Sequence, residues 1–171
     1  MVVMTLLVIT LFFIVPRLSN TSFTNSINRT ARWLDIASAS LRARSQAEQR
    51  RCFLRVDMKA RVLTAMAASN QDDGTVDKDE PVDSPFRDKD AATEKAPVVL
   101  GKFVLPSDTK VVDVAFPDMQ VFYDGVVDIY FYKEGYADRA VIHMRNGDRM
   151  VSFFVEPFLT RVRMEDGYAD F

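Results

Sequence analysis

The side chains that most often carry chemistry are scarce in this sequence. It has one Cys and one His among 171 residues, Cys52 and His143. Zinc sites usually take three or four Cys or His ligands, and cysteine nucleophiles need a nearby base. We interpret His143 as a packed or surface residue of a strand and Cys52 as a buried free thiol without a disulfide partner. The composition therefore predicts no metal site and no Cys–His catalytic pair.

Three aspartates fall in strand-like segments and are the remaining candidates for acid–base chemistry. Acid–base chemistry by a carboxylate pair requires both carboxylates on one face. The spacing of Asp57, Asp113 and Asp128 brings no two together. We therefore nominate no catalytic residue and no cofactor, and we expect the protein not to be an enzyme.

One segment, Asn70 to Lys95, holds nine acidic and four basic residues and has a net charge of −5. It lacks the twelve-residue Ca²⁺-binding loop with its Gly and terminal Glu. Its few apolar side chains cannot offset the entropy cost of ordering, so we expect a flexible acidic insertion at 70–95. The whole chain has a net charge of −2, and outside the insertion 18 basic residues face 15 acidic ones. Such weak positive charge predicts no nucleic-acid partner.

The N-terminal segment 1–16 has the character of a membrane helix. Residues 1–15 carry no charge and include only two polar residues, Thr5 and Thr10. As a helix they would span about 22 Å, short of the roughly 30 Å of a bilayer core. The segment also lacks the basic start and small-residue cleavage site of a secretory signal. We predict a transmembrane helix at 1–16 that is shorter than usual.

The next segment, 17–51, contains the pattern of an amphipathic helix from Ile27 to Arg51, with Thr24, Asn25 or Ser26 as its cap. Ile27, Leu34 and Leu41 recur on one side and form the predicted packing stripe. Six arginines occupy mostly the other faces, without an aromatic platform for nucleic acid. They are Arg29, Arg32, Arg42, Arg44, Arg50 and Arg51.

From Cys52 onward apolar and polar residues alternate, which is typical of strands. The pattern predicts a hairpin from Cys52 to Ala68 and a second one around Asn146-Gly147, a dipeptide that favours a type I′ turn. We expect an α+β protein whose β domain, 52–171, is an antiparallel sandwich or curved sheet covered on one side by the helix. Eight strands are predicted, and the last six are 98–105, 110–116, 126–132, 139–145, 149–155 and 159–164.

The order of these segments resembles the minor pseudopilins of type II secretion, specifically the H-type, and the related FimT-like minor type IV pilins. The resemblance rests on four features in the same order along the chain. They are an apolar run closed by Ile14-Val15-Pro16-Arg17, the end of the amphipathic helix, the strand that follows this helix, and the pattern of strands in the last third of the chain. The sequences that match are Leu41-Arg42-Ala43-Arg44-Ser45-Gln46-Ala47, Leu54-Arg55-Val56-Asp57, Tyr130-Phe131-Tyr132-Lys133-Glu134-Gly135, Val141-Ile142-His143-Met144-Arg145-Asn146-Gly147 and Val155-Glu156-Pro157-Phe158-Leu159-Thr160-Arg161-Val162-Arg163.

The family has a basic leader ending in Gly and then an aromatic residue followed by Thr-Leu-Ile-Glu, which this sequence lacks. Residues 1–7 are similar to the family's apolar residues immediately after that Glu, so we expect an N-terminally truncated chain. The resemblance implies a single-pass inner-membrane protein with a periplasmic β domain. It also implies assembly with other pseudopilins or pilins, and cleavage by a prepilin peptidase if the leader is restored.

Two alternatives remain open from the sequence. One is a FimT-like minor pilin that primes a type IV pilus for adhesion or DNA uptake. The other belongs to a different class, a signal-anchored extracytoplasmic binding module.

Overall fold

The computed structural model describes residues 26–68 and 97–171, and within them the chain forms one helix and nine strands. The helix, α1, covers residues 26–48. The strands are β1 Cys52–Asp57, β2 Val62–Ala67, β3 Val98–Val104, β4 Thr109–Ala115, β5 Val121–Phe122, β6 Val126–Phe131, β7 Ala140–Asn146, β8 Arg149–Val155 and β9 Arg163–Asp166.

The end of α1 is fixed by its backbone. Gln49 has a φ of 50°, and the Arg50 amide donates to the Ser45 carbonyl at 3.2 Å. A left-handed residue followed by this backward bond is the Schellman arrangement that closes many helices. Ser26 already lies inside α1, so it is not the cap, while the other predicted caps lie outside the described residues.

Sheet A contains four antiparallel strands in the order β3-β2-β1-β6. The predicted hairpin of β1 and β2 is confirmed, with Leu54 opposite Ala65. On its other side β1 pairs with β6, where Leu54 faces Ile129. These three residues point into the core, because side chains of one register row share a face.

Sheet B contains five antiparallel strands in the order β5-β4-β7-β8-β9. The predicted hairpin of β7 and β8 is confirmed, but the turn differs from the prediction. Asn146 pairs with Arg149, so Gly147 and Asp148 are the central residues, and of these two only Gly147 has a positive φ, 58°. A type II′ turn has this pattern, because it needs positive φ only at its first central residue.

The predicted strand at 159–164 is wrong in its position. Strand β9 begins at Arg163, and the residues before it bond to α1 instead of to a ladder. β5 was not predicted, since two residues are too short to show alternation.

One hydrophobic core joins α1 and both sheets, which confirms the predicted α+β class with antiparallel sheets covered by a helix. Leu34 of α1, Ile129 of sheet A and Ile142 of sheet B are all fully buried in it. In the ranges 26–68 and 97–171, no helix combines the length and apolar character needed to cross a membrane. The predicted membrane helix 1–16 and the acidic insertion 70–95 fall outside the described residues.

Candidate functional site on the helix and the second sheet

The stripe of α1 faces the core. Ile27 has 5% of its surface exposed, and Leu34 and Leu41 have none. Trp33, beside the stripe, stacks on Phe103 of β3 with ring centroids 5.3 Å apart and planes 21° from parallel. The helix is thus fixed to sheet A by aromatic as well as aliphatic contacts.

Arg42 is buried on the same side of α1, so it is an exception to the prediction that the arginines mostly occupy the other faces. Its Nη2 donates to the carbonyls of Glu156 and Pro157, both at 3.1 Å, and Nη1 donates to the carbonyl of Leu159. Burial lowers the pKa of Arg42, yet a guanidinium stays charged in proteins. The signal in the sequence was its place, one residue after Leu41 and four after Ser38, on the flank of the stripe.

Two further polar residues hold α1 in place. Ser45, also fully buried, donates from Oγ to the Tyr132 carbonyl at 3.0 Å. Asp35 accepts the Val162 amide at 2.7 Å. Together with Arg42 these contacts attach the helix to loops of both sheets through backbone groups, which would otherwise need other partners.

The opposite side of α1 is exposed and basic. We call it the outer face of α1 and define it by Arg29, Arg32, Ile36, Ser40 and Ala43, which recur at three and four residues. Ile36 leaves 70% of its surface exposed at the centre of this stripe. Ile36 is thus the large aliphatic side chain of a face that otherwise presents arginines and small residues.

Sheet B brings three chemistry-bearing residues into one row. Asp113 of β4 lies opposite His143 of β7, which lies opposite Ser152 of β8, and all three are fully buried. His143 Nδ1 lies 2.5 Å from Asp113 Oδ1. The sequence did not predict this contact, because the register of β4 and β7 shifts between Val111 and Asp113. Strand spacing alone does not reveal such a shift.

The row is covered by residues 167–171. His143 Nε2 donates to the Ala169 carbonyl at 3.1 Å, and the Tyr168 ring stacks on the imidazole at 3.8 Å. Burial, more than the neighbouring carboxylates, raises the pKa of Tyr168. Ser152 Oγ donates to the Gly167 carbonyl and accepts the Ala169 amide.

These hydrogen bonds determine whether Ser152 could act as a nucleophile activated by His143. A serine nucleophile must give its proton to the histidine beside it. Here the Ser152 hydroxyl is bonded to Gly167, and the imidazole N–H is bonded to Ala169. In this arrangement the row holds residues 167–171 on sheet B and offers no open nucleophile.

The other candidate residues lie apart from one another. Asp128 accepts two bonds from Arg55, at 2.8 and 2.7 Å, and Asp57 accepts the Ala60 amide in the turn after β1. Cys52 is a buried free cysteine, as predicted, and burial raises the pKa of its thiol. No three His, Cys, Asp or Glu side chains of the described ranges come together to hold a metal ion.

Comparison with known proteins finds a likeness of fold but not of sequence. No protein-family profile matches the sequence, and no curated protein is detectably similar to it. The fold is similar to that of the minor pseudopilin EpsH from the type 2 secretion system of Vibrio cholerae, with a TM-score of 0.52. The match covers 85% of this chain and 99% of that chain, at 12% sequence identity. At this identity the likeness is one of fold, a pilin-like helix on antiparallel sheets.

Proposed function

We propose that this protein is a minor pseudopilin, a subunit of the periplasmic pseudopilus of type II secretion that acts by assembly with other pilin-like subunits and not by catalysis. The observation that carries the proposal is the docking of α1 on two antiparallel sheets in the pilin-like arrangement, which matches nearly the full length of EpsH. The apolar N-terminal segment and the Leu41-Arg42-Ala43 pattern at the helix end support the same family.

In this proposal residues 1–16 anchor the chain in the inner membrane, and the β domain lies in the periplasm. Extraction into the filament exchanges lipid contacts for contacts between helices. Because α1 already uses Leu34 and Leu41 for its own core, the outer face of α1 is the side left for a neighbouring subunit.

The test is therefore a substitution that spares the core. Ile36→Asp places a charge on a side chain that is 70% exposed, so it should change stability by no more than about 0.5 kcal/mol. It should nevertheless abolish filament-dependent secretion in a complemented deletion strain, because a neighbour would have to bury the charge.

The matched control is Met119→Asp, which adds the same charge at an apolar residue 94% exposed in another part of the molecule. It should leave secretion intact. Protein abundance is measured for both variants, and normal secretion by Ile36→Asp at normal abundance would contradict assembly through α1.

The same strains separate the two filament types. Loss of an exported protein from the medium with normal pili supports the pseudopilus. Loss of pili or of DNA uptake with normal secretion would instead assign the chain to a FimT-like minor pilin.

A further inference from the structure

Two like charges face each other in sheet B. Lys110 of β4 lies directly opposite Arg145 of β7, and both are exposed. Side chains directly opposite on antiparallel strands have Cβ atoms about 5 Å apart, and like charges there are destabilising. Neither cation forms an ion pair with a carboxylate of the described chain. Water screens part of this repulsion because both side chains are exposed, and an anion bound between them would remove the rest.

A third cation lies at the same place. Arg61, in the turn between β1 and β2, has a φ of 57°, a conformation that costs a non-glycine residue about 1 kcal/mol or more. Its Nη2 donates to the carbonyls of Pro106 and Thr109, at 2.6 and 3.1 Å. Its Nε is buried and has no hydrogen-bond partner. The guanidinium is therefore positioned at the cleft by two backbone carbonyls.

These three cations line one cleft of about 420 Å³. Ser107, Thr109 and Gly147 complete its wall with small polar groups, and Asp108 and Asp148 also line it. The Asp108 carboxylate is already engaged, since it accepts Ser26 Oγ at 3.1 Å and Thr109 Oγ1 at 3.4 Å. The cations outnumber the carboxylates, which leaves a positive cleft with polar walls.

We propose that this cleft binds a single oxyanion, the phosphate or carboxylate group of a small ligand or side chain, between Arg61, Lys110 and Arg145. The guanidinium fork suits planar or tetrahedral oxyanions because it offers parallel N–H donors. An anion between Lys110 and Arg145 removes their mutual repulsion. The two carboxylates limit the site to one anionic group. The proposal does not depend on the assembly function.

The experiment measures thermal stability of the full chain, with inorganic phosphate as one probe, N-acetyl-glutamate amide as the other, and chloride at equal ionic strength as the reference. Specific binding raises the melting temperature in a saturable way, because a ligand of the native state stabilises it by mass action. Amide NMR shifts should report the same saturation at Lys110 and Gly147. Wild-type protein without a saturable response to either probe would overturn the proposal.

Variants then identify the site. The double variant Lys110→Gln/Arg145→Gln should bind phosphate at least tenfold more weakly. Lys110→Glu should lose the phosphate response and melt at a higher temperature in chloride, because it places opposite charges across the strands. The control is Arg149→Gln, an exposed arginine just past the same turn that pairs with Asp166. Equal weakening in the control and the double variant would overturn the proposal.

The two probes together decide the source of the oxyanion. Each is titrated under the same conditions, so their apparent affinities can be compared directly. A tighter response to the glutamate compound supports an acidic side chain as the natural ligand, and a tighter response to phosphate supports a phosphorylated small molecule. Either result retains the site, provided that the double variant loses it.

Discussion

At the residue scale, the structure accommodates two buried ionisable groups in different ways. Arg42 is surrounded by carbonyl oxygens of the loop after β8, so its charge is met by backbone dipoles. The Asp113 carboxylate instead lies in hydrogen-bond contact with the imidazole of His143, with Oδ1 2.5 Å from Nδ1. Removing one partner of such a group costs more than the bond itself contributes, because the other partner stays buried without a bond.

Arg42→Met should destabilise the protein strongly. The substitution keeps much of the side-chain volume but removes the charged donor of the Glu156 and Leu159 carbonyls, while the Pro157 carbonyl keeps the Ala137 amide. Because hydrogen bonds to a charged group contribute more than neutral ones, we expect a loss of about 1.5–3 kcal/mol in the free energy of unfolding. Urea denaturation measures the change. Arg44→Met is the control on the same helix, because Arg44 is exposed and forms a surface ion pair with Glu48, so its loss should be about 0.5 kcal/mol or less. Equal losses of unfolding free energy for the two substitutions would show that the hydrogen bonds of Arg42 do not stabilise the fold.

Tyr132 should make stability depend on pH in alkali. Burial first, and then the charge and hydrogen bond of Asp138, raise its pKa from the ordinary 10.0 to about 12. Between about pH 10 and pH 12 the unfolded chain has lost this proton while the folded protein keeps it, so stability falls as pH rises through that window. Tyr132→Phe should reduce the slope of unfolding free energy against pH there. Identical slopes for variant and wild type would contradict the raised pKa.

At the element scale, the boundaries of α1 and of the hairpins are set by a few backbone conformations. Gln49 ends the helix in a left-handed conformation that suits glycine, and Gly147 supplies the positive φ of the β7–β8 turn. The residues after Val155 do not continue as a strand because their polar backbone groups bond to Arg42 and Asp35. The strand thus ends where its backbone groups bond to side chains of α1 instead of to a neighbouring strand.

Gln49→Gly should stabilise the protein by up to about 1 kcal/mol, because glycine adopts the observed φ of 50° without the cost borne by a side chain. The control, Ala47→Gly, lies two residues earlier inside α1 and is also exposed. It should destabilise by about 1 kcal/mol, since glycine is a poor helix former. Melting temperatures of the two variants should move in opposite directions, and a shift in the same direction would contradict the assigned helix end.

At the scale of the whole molecule, α1 and both sheets share one core, so they should unfold together. Leu34→Ala, at a fully buried position of α1, should cost about 2–5 kcal/mol through the cavity it leaves. Helix and strand signals should still fall in a single transition, measured by circular dichroism and by amide exchange. Loss of protection in α1 with β1 and β7 unchanged would show a separately unfolding helix.

The range of each interaction determines how far the sequence could predict this molecule. The stripe through Leu34 and the hairpin of β7 and β8 depend on neighbours within a few residues, and periodicity detects them. The bonds of Arg42 and the pairing of Asp113 with His143 join residues 30 to 117 positions apart. They depend on how elements dock and on one register shift, and neither leaves a repeating pattern in the sequence. The cleft of Arg61, Lys110 and Arg145 is of the same kind, since it brings together three separate elements.

The stacking of Trp33 on Phe103 has a practical consequence. The sequence contains one tryptophan, and it lies where α1 meets β3. Indole fluorescence shifts to longer wavelength and changes in yield when the ring leaves an apolar contact for water. The emission of the unlabelled protein therefore reports a single contact, that of the helix with the edge of sheet A. Time-resolved emission, or its quenching by acrylamide, can track the separation of these two elements without any added probe.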